Sequence, residues 1–288
     1  MMTQLTLPKH YNYIGVFLTY NCNMGCSYCL NKAGELSPST ELTPSQWIEG
    51  LSRLQTRTDL PITFQGGEPT LYPGFYELIN DLYNKGYYMD LLTNGKFSAP
   101  MFRRNINPCV FKRKVKYASI RYSFHQRTDL MELLDHVWSM KAEGYEVGIW
   151  AVEYPDRKTL RRIKIMRCLC NRPWTGIDFR TKEYLGMYKG KMHGTYRYAG
   201  AVDGKVKEVM CKPSELLIGP DGYVYRCHAD LYAHRDSIGH ILGEIGFPDY
   251  LRCKHYGKCN PCDVKLKTDR FQESGHCSVE IKGVEDGK

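Results

Sequence analysis

Between residues 13 and 180 the chain alternates, unit after unit, between short β-rich runs and helical stretches, and this alternation restricts the fold more than any other feature. The β-rich runs are Tyr13 to Thr19, Pro61 to Phe64, Tyr87 to Leu92, Tyr117 to Phe124, Glu146 to Val152 and Gly176 to Arg180. Helical periodicity occupies Pro44 to Leu54, Phe75 to Asn84, Asp129 to Glu143 and Asp156 to Cys168, with a weaker helical pattern over Ala99 to Asn107. Thr43 followed by Pro44 reads as an N-cap with proline in the first helical position. Repeated β-α units predict an α/β fold, a parallel sheet covered by helices. Ligands of such sheets bind outside the carboxyl ends of the strands, and the motifs described below all stand at such ends.

After Lys182 the pattern changes to glycine, tyrosine and lysine without a helical period, and then to a cysteine-rich region. A boundary between 195 and 205 is expected, giving a first domain over residues 1–200 and a small cysteine-rich domain over 201–288. The polar stretch from Lys282 to Lys288 reads as a tail.

Twelve cysteines stand in a chain whose first ten residues lack the apolar run of a signal peptide. A cytoplasmic location is therefore expected, where thiols stay reduced and clustered cysteines point to metal or cluster ligation rather than disulfides. No apolar run is long enough to span a membrane. The formal charge of +9 raises the question of nucleic acid, with Arg103, Arg104, Lys112, Arg113, Lys114 and Lys116 the densest basic stretch. Basic runs of this size are usually solvated faces, so nucleic acid is not the expected partner.

Cys22, Cys26 and Cys29 follow the first strand in the spacing C-x3-C-x2-C, with Tyr28 just before the last cysteine. Three thiolates on one loop can bind three corners of a cubane and leave the fourth iron open, and an open position separates a reactive metal centre from a structural one. With the aromatic in that place, the spacing resembles the defining motif of the radical S-adenosylmethionine (radical SAM) superfamily. The resemblance covers roughly residues 13 to 180. It implies a partial (β/α)6 TIM-like barrel, a 4Fe-4S cluster on the three cysteines, and S-adenosyl-L-methionine bound at the open iron. Reductive cleavage of that cofactor would give methionine and a 5′-deoxyadenosyl radical that abstracts a substrate hydrogen.

Gly66, Gly67, Glu68 and Pro69 end the second strand and resemble the family's GGEP motif, which receives the methionine amino group. Glycines let backbone carbonyls approach an ammonium, and a carboxylate in reach strengthens that contact. Thr93-Asn94-Gly95 closes the third strand and matches a turn common in the family, so Asn94 joins the candidate cofactor residues. On the fourth strand Arg121, Ser123 and His125 share a face by the period of two. Ser123 resembles the family residue that holds the cofactor's carboxylate or ribose, whereas His125 stands where relatives often carry Asp. Gly148 to Val152 resembles the segment that packs on the adenine, with Ile149 as the candidate contact; Arg180 is a candidate for reaching the cofactor or a substrate acid.

Cys211 and Cys227 flank Gly222 as C-x10-G-x4-C, and Cys253, Cys259 and Cys262 follow as C-x5-C-x2-C. These resemble the auxiliary-cluster extensions called SPASM and twitch, and the count fits one twitch-like auxiliary 4Fe-4S cluster. The expected ligands are Cys211, Cys227, Cys259 and Cys262, with Cys253 or Cys277 as possible replacements for one of them. A zinc knuckle stapling a small domain is the structural alternative.

The resemblance implies an enzyme acting on a peptide or a small natural-product or sugar precursor by oxidation, cross-linking or epimerisation, supplied with electrons by a flavodoxin- or ferredoxin-type donor. The first strand begins near residue 13, so an N-terminal leader-binding domain is not expected. An epimerase needs a hydrogen-atom donor, for which Cys109, Cys168, Cys170 and Cys277 are candidates. A cluster or zinc protein that binds RNA without radical chemistry is the competing expectation.

Overall fold

Six strands lie side by side in chain order and all run parallel: β1 (Tyr13–Phe17), β2 (Ile62–Gln65), β3 (Met89–Thr93), β4 (Ile120–Phe124), β5 (Val147–Glu153) and β6 (Asp178–Glu183). The computed structural model describes residues 4–30, 40–57, 60–113, 117–247, 249–269 and 272–284. Crossovers are made by α1 (Pro44–Leu51), α2 (Phe75–Asn84), α3 (Ala99–Asn105), α4 (Leu130–Ala142) and α5 (Arg157–Cys170). Their starts are written in the sequence: Thr43 and Gln46 form a reciprocal capping box, and Ser98, Asp129 and Asp156 cap α3, α4 and α5 through their side chains.

Alternate strand residues divide between two faces. Ile14, Val16, Ile62, Phe64, Leu91, Ile120, Tyr122, Val147 and Ile149 face the helices and pack with Trp47, Leu51, Leu78, Leu82, Phe102, Leu134, Val137 and Met166 in one continuous core. The other face looks into the barrel. Near the amino ends of its strands, buried Asp90 pairs with Arg113 at 2.8 Å and Arg121 at 3.0 Å, so this end of the barrel interior is filled by charge rather than left open. Arg113, expected on a basic surface, is thereby buried. Lys114 and Lys116 of that stretch lie outside the described residues, as do residues 285–288 of the tail.

The sixth strand is longer than its sequence pattern suggested. It runs to Glu183 and leads into a hairpin of β7 (Gly186–Tyr188) and β8 (Lys191–His193) rather than a sixth α-helix. Beyond it come β9 (Lys207–Pro213), β10 (Glu215–Ile218), β11 (Tyr223–Tyr225), α6 (His228–Ala233), β12 (Ser237–His240), β13 (Leu251–Tyr256), α7 (Pro261–Val264) and β14 (Val279–Lys282).

The boundary expected near residue 200 does not divide the sheet. β10 pairs in parallel with β1, and β11 and β12 add antiparallel strands, giving one nine-stranded mixed sheet in the order β12-β11-β10-β1-β2-β3-β4-β5-β6. Lys267–Asp269 pairs with Gln272–His276 in a two-stranded sheet, and three further C-terminal strands form a separate antiparallel one, β13-β9-β14. That sheet closes a small core made of Ala201, Val209, Cys211, Cys227, Cys253, Tyr256, Val264 and Val279. Phe17, Tyr20, Leu217, Tyr225 and Leu231 pack between this region and the barrel. No helix of the described residues is long and apolar enough to cross a membrane.

Candidate active site

The loop after β1 carries the triad. Cys29 N–H donates to the carbonyl of Cys26 at 3.1 Å, which turns the chain tightly enough to aim both thiols at one space. Cys22, Cys26 and Cys29 all line a cavity of about 290 Å³ at the carboxyl ends of the parallel strands. Burial and the neighbouring thiols of Cys29 and Cys22 push Cys26 up to about 11, and burial pushes Cys22 upward as well. A cationic group among them would relieve both penalties, because thiolates are the metal-binding form. Among the described residues no three His, Cys, Asp or Glu side chains converge as ligands of one ion do. A cubane binds each thiolate through its own iron, so its cysteines need only surround a shared space, as these do.

The glycines that end β2 hold this loop in place. A Cβ on Gly66 would stand 2.4 Å from the carbonyl oxygen of Thr19, and one on Gly67 only 2.1 Å from that of Asn21. Only glycine permits this approach, and Gly67 N–H and Glu68 N–H donate to the carbonyls of Thr19 and Asn21 at 2.9 and 2.8 Å. Gly66 and Gly67 line the cavity.

Glu68 does not line it, which corrects the expectation that its carboxylate faces the cofactor. The side chain is fully buried and occupied by donors: Asn94 N–H at 2.7 Å, Thr93 Oγ1 at 2.8 Å, and Thr70 Oγ1 and N–H at 2.7 and 3.2 Å. Its position at the N-cap of a short 3-10 turn, Pro69–Leu71, is the physical reason. Burial raises its pKa despite these bonds. Glu68 thus staples the end of β3 to the end of β2.

Asn94 lies on the other side of that staple. Its Nδ2 donates to Asn23 Oδ1 at 2.8 Å and approaches Cys22 Sγ at 3.7 Å, while its Oδ1 accepts from Lys96 N–H at 2.8 Å. One side chain therefore ties the third strand's turn to the cysteine loop.

Ser123 and His125 both reach the cavity from the end of β4. The Tyr28 hydroxyl and His125 Nδ1 are hydrogen-bonded at 2.9 Å, and burial pulls His125 down to about 4, so the imidazole is neutral near pH 7. Tyr28 also stacks on Tyr154, with ring centroids 5.3 Å apart. Ile149 is elsewhere: it points to the helix-side core, and the strand's period of two gives the cavity Val152 instead. Arg180 is engaged with Asp178 at 3.0 Å and lies over the Trp150 ring.

Sequence reasoning missed the wall contributed by Lys182, Tyr184, Leu185, His228, Cys262 and Lys265. A signal existed for Lys182, which shares the inward face of β6 with Arg180. Tyr184 and Leu185 follow directly from the end of β6, whereas His228, Cys262 and Lys265 arrive through long-range folding of the C-terminal region.

Cys262 belongs to this wall, and that changes the second cysteine group. A separate small cavity is lined by Cys211, Cys227, Cys253 and Cys259. Of the expected set, Cys211, Cys227 and Cys259 line this cavity and Cys262 does not; Cys253, one of the two replacements considered from sequence, lines it instead. The reason is local: Asn260 accepts from Cys262 N–H at 2.9 Å and starts α7, whose single turn carries Cys262 to the barrel side while Cys259 stays on the other. Cys211 and Cys253 share a hydrogen bond, which raises the first and lowers the second. Burial pushes Cys259 up to about 12 and Cys227 upward too. Four thiols around one small space, beside Arg226, fit a fully ligated cluster by donor chemistry.

Of the other cysteines, Cys109 and Cys168 are exposed, Cys170 is in the helix-side core and the Cys277 thiol donates to the Val264 carbonyl at 3.5 Å. None of them lines the main cavity.

Residues 16–104 match the family model of the Radical SAM superfamily. That stretch runs from the end of β1 through β3 and holds the cysteine triad, Gly66, Gly67 and Asn94, so the resemblance falls on residues that build the cavity. Its fold is similar to that of Streptococcus suis SuiB in a crystal structure bound to precursor peptide SuiA, with a TM-score of 0.53 and 12% identity over 79% of this chain and 62% of SuiB. SuiB bound to S-adenosylmethionine matches with the same values. Native anSMEcpe with bound AdoMet and Cp18Cys peptide matches at a TM-score of 0.53 and 16% identity, over 83% of this chain and 78% of that one. The match thus spans less than two thirds of the length of SuiB, and at these identities the likeness is one of fold.

Proposed function

We propose that this chain is a radical SAM enzyme that holds a 4Fe-4S cluster on Cys22, Cys26 and Cys29 and takes a peptide as its substrate. The observation that carries this reading is the meeting of the three thiols with Gly66, Gly67, Asn94 and Ser123, from successive strand ends, around one cavity. With cluster and S-adenosylmethionine bound, the chemistry supplied is reductive cleavage to methionine and a 5′-deoxyadenosyl radical, which removes a hydrogen atom from the substrate.

The chain's own residues bind and orient. The carbonyls of the Gly66–Gly67 stretch are the acceptors for the methionine ammonium, and Ser123 is the donor for its carboxylate or ribose. Asn94 fixes the loop through Asn23 and sits beside Cys22. Neutral His125 holds the Tyr28 hydroxyl beneath the loop and carries no charge into the cavity. A peptide substrate is supported by the two similar folds that were solved with peptides bound, SuiB and anSMEcpe.

Cys211, Cys227, Cys253 and Cys259 hold one auxiliary 4Fe-4S cluster in this reading. With four protein ligands it has no open iron, so its role is electron transfer or support. A flavodoxin- or ferredoxin-type protein supplies the electrons, and the cytoplasm is the compartment in which twelve reduced cysteines persist.

Anaerobic reconstitution followed by iron, sulfide and zinc analysis, with incubation in dithionite and S-adenosylmethionine, tests the reading. About eight irons per chain and formation of 5′-deoxyadenosine are expected. About four irons with tightly bound zinc would remove the auxiliary cluster, and no 5′-deoxyadenosine from protein with an intact first cluster would remove the radical chemistry.

A further inference from the structure

One part of the cavity wall has no task in the cofactor site described above. Lys182 lies on the inward face of β6, next to Val152 in register, with its side chain open to the cavity instead of packed. Lys265, at the C-cap of α7, lines the same wall, as does Cys262 one turn earlier. Neither lysine side chain has a hydrogen bond or ion pair among the described residues.

Carboxylates exist nearby, but each is committed. Asp90 holds Arg121 at 3.0 Å, Glu215 holds Lys267, and Glu183 accepts from Thr195 N–H and Oγ1 at 2.9 and 3.1 Å. Asp263 accepts from His228 Nδ1 at 2.8 Å and from two backbone N–H groups at 2.8 and 3.0 Å. Glu183 also lines this cavity, so two ammonium groups stand on the wall against one carboxylate whose oxygens are engaged by Thr195, and the wall keeps an excess of positive charge.

We infer that Lys182 and Lys265 form an anion-binding subsite that receives a carboxylate of the substrate. The inference rests on the proposed function, in which this cavity admits a substrate, and narrows it to one that presents an acidic group at the reacting end. Two ammonium groups against one carboxylate leave excess positive charge on the wall, and a carboxylate entering between the lysines makes charge-assisted bonds that balance it. Desolvation by the surrounding cavity walls, with Lys265, Arg121 and Lys267 as like charges and the Cys262 thiol opposing them, draws Lys182 down to about 7, as expected of a cation awaiting its counter-ion.

Competitive acylation tests this on the reconstituted full chain. Acetic anhydride modifies only neutral amines, and mass spectrometry of the peptide containing Lys182 reads its rate, with acetate as the carboxylate probe. Acetate at saturation is expected to slow acylation of Lys182 near neutral pH by about tenfold, the effect of raising its pKa by about one unit, and to do so with S-adenosylmethionine present. In Lys265→Gln the protection should fall at least severalfold.

Unchanged acylation in acetate overturns the inference. Protection by S-adenosylmethionine alone, lost with its decarboxylated analogue, also overturns it, because the subsite would then belong to the cofactor's carboxylate. If Lys265→Gln does not fold, the wild-type arms still decide. Absence of 5′-deoxyadenosine would sink the proposed function while leaving acetate protection intact, so the two failures are distinguishable.

Discussion

Glu68 offers the sharpest test of how the site is held together. Replacing it with Ala strands two buried donors, Thr93 Oγ1 and Asn94 N–H, while Thr70 at the half-exposed turn can turn to water. Each stranded donor costs about 1 to 3 kcal/mol, partly offset because a buried carboxylate is itself penalised, so a net loss near 3 kcal/mol is expected. In a chain of this size that lowers the melting temperature by about 6 to 12 °C. Glu68→Gln should cost about 2 kcal/mol, since whichever way the amide turns its nitrogen faces a backbone N–H, that of Asn94 or that of Thr70, donor against donor.

The sign of the pH effect follows from the raised pKa of Glu68. The folded state binds this proton more tightly than the unfolded one, so the group's contribution is full below the ordinary carboxylate range and is lost as pH rises through the raised value. The stability gap between wild type and Glu68→Gln should therefore narrow with rising pH. Thermal melts and iron analysis of anaerobic protein at two pH values check both points. A Glu68→Ala variant that melts within about 2 °C of wild type and keeps its iron would refute the stapling role.

Cys253→Ala is expected to lower iron from about eight to about four per chain, whereas Cys262→Ala keeps about eight; the reverse result would restore the ligand set that sequence spacing suggested. Gly67→Ala should lose the first cluster, because its Cβ would meet the Asn21 carbonyl oxygen at 2.1 Å, and charge-transfer absorbance of the reconstituted variant reads this directly. Asp90→Asn leaves Arg113 and Arg121 buried without their carboxylate and should cost about 3 to 5 kcal/mol in urea unfolding.

Much of the barrel was legible because its cues are local. Period-two alternation, Thr43 with Pro44, and the capping aspartates at 129 and 156 act within a few residues; the first five strands fall within their expected runs to within a residue, and the sixth is displaced toward Glu183. The triad and Gly66–Gly67 were legible for a related reason: a loop between fixed strand ends has few places to go. Ile149 shows the limit, since a one-residue error in strand phase moves a side chain to the opposite face.

The C-terminal region was harder because long-range pairing decides it. Nothing local in Glu215 to Ile218 says that it joins the edge of β1, yet that pairing makes one sheet of two expected domains. Likewise C-x5-C-x2-C does not reveal that one turn of helix separates Cys259 from Cys262 and sends them to different cavities. Lys265 reaches the barrel by the same folding, which is why the cationic wall has no sequence signature.

Production of 5′-deoxyadenosine bears most directly on the division of labour between the two cysteine groups. Reconstituted wild type, Cys26→Ala and Cys227→Ala are each incubated anaerobically with dithionite and S-adenosylmethionine, and 5′-deoxyadenosine and methionine are quantified together. Equal amounts of both products from wild type and Cys227→Ala, with none from Cys26→Ala, is the predicted result. Wild type that carries an intact first cluster and forms neither product would contradict the account.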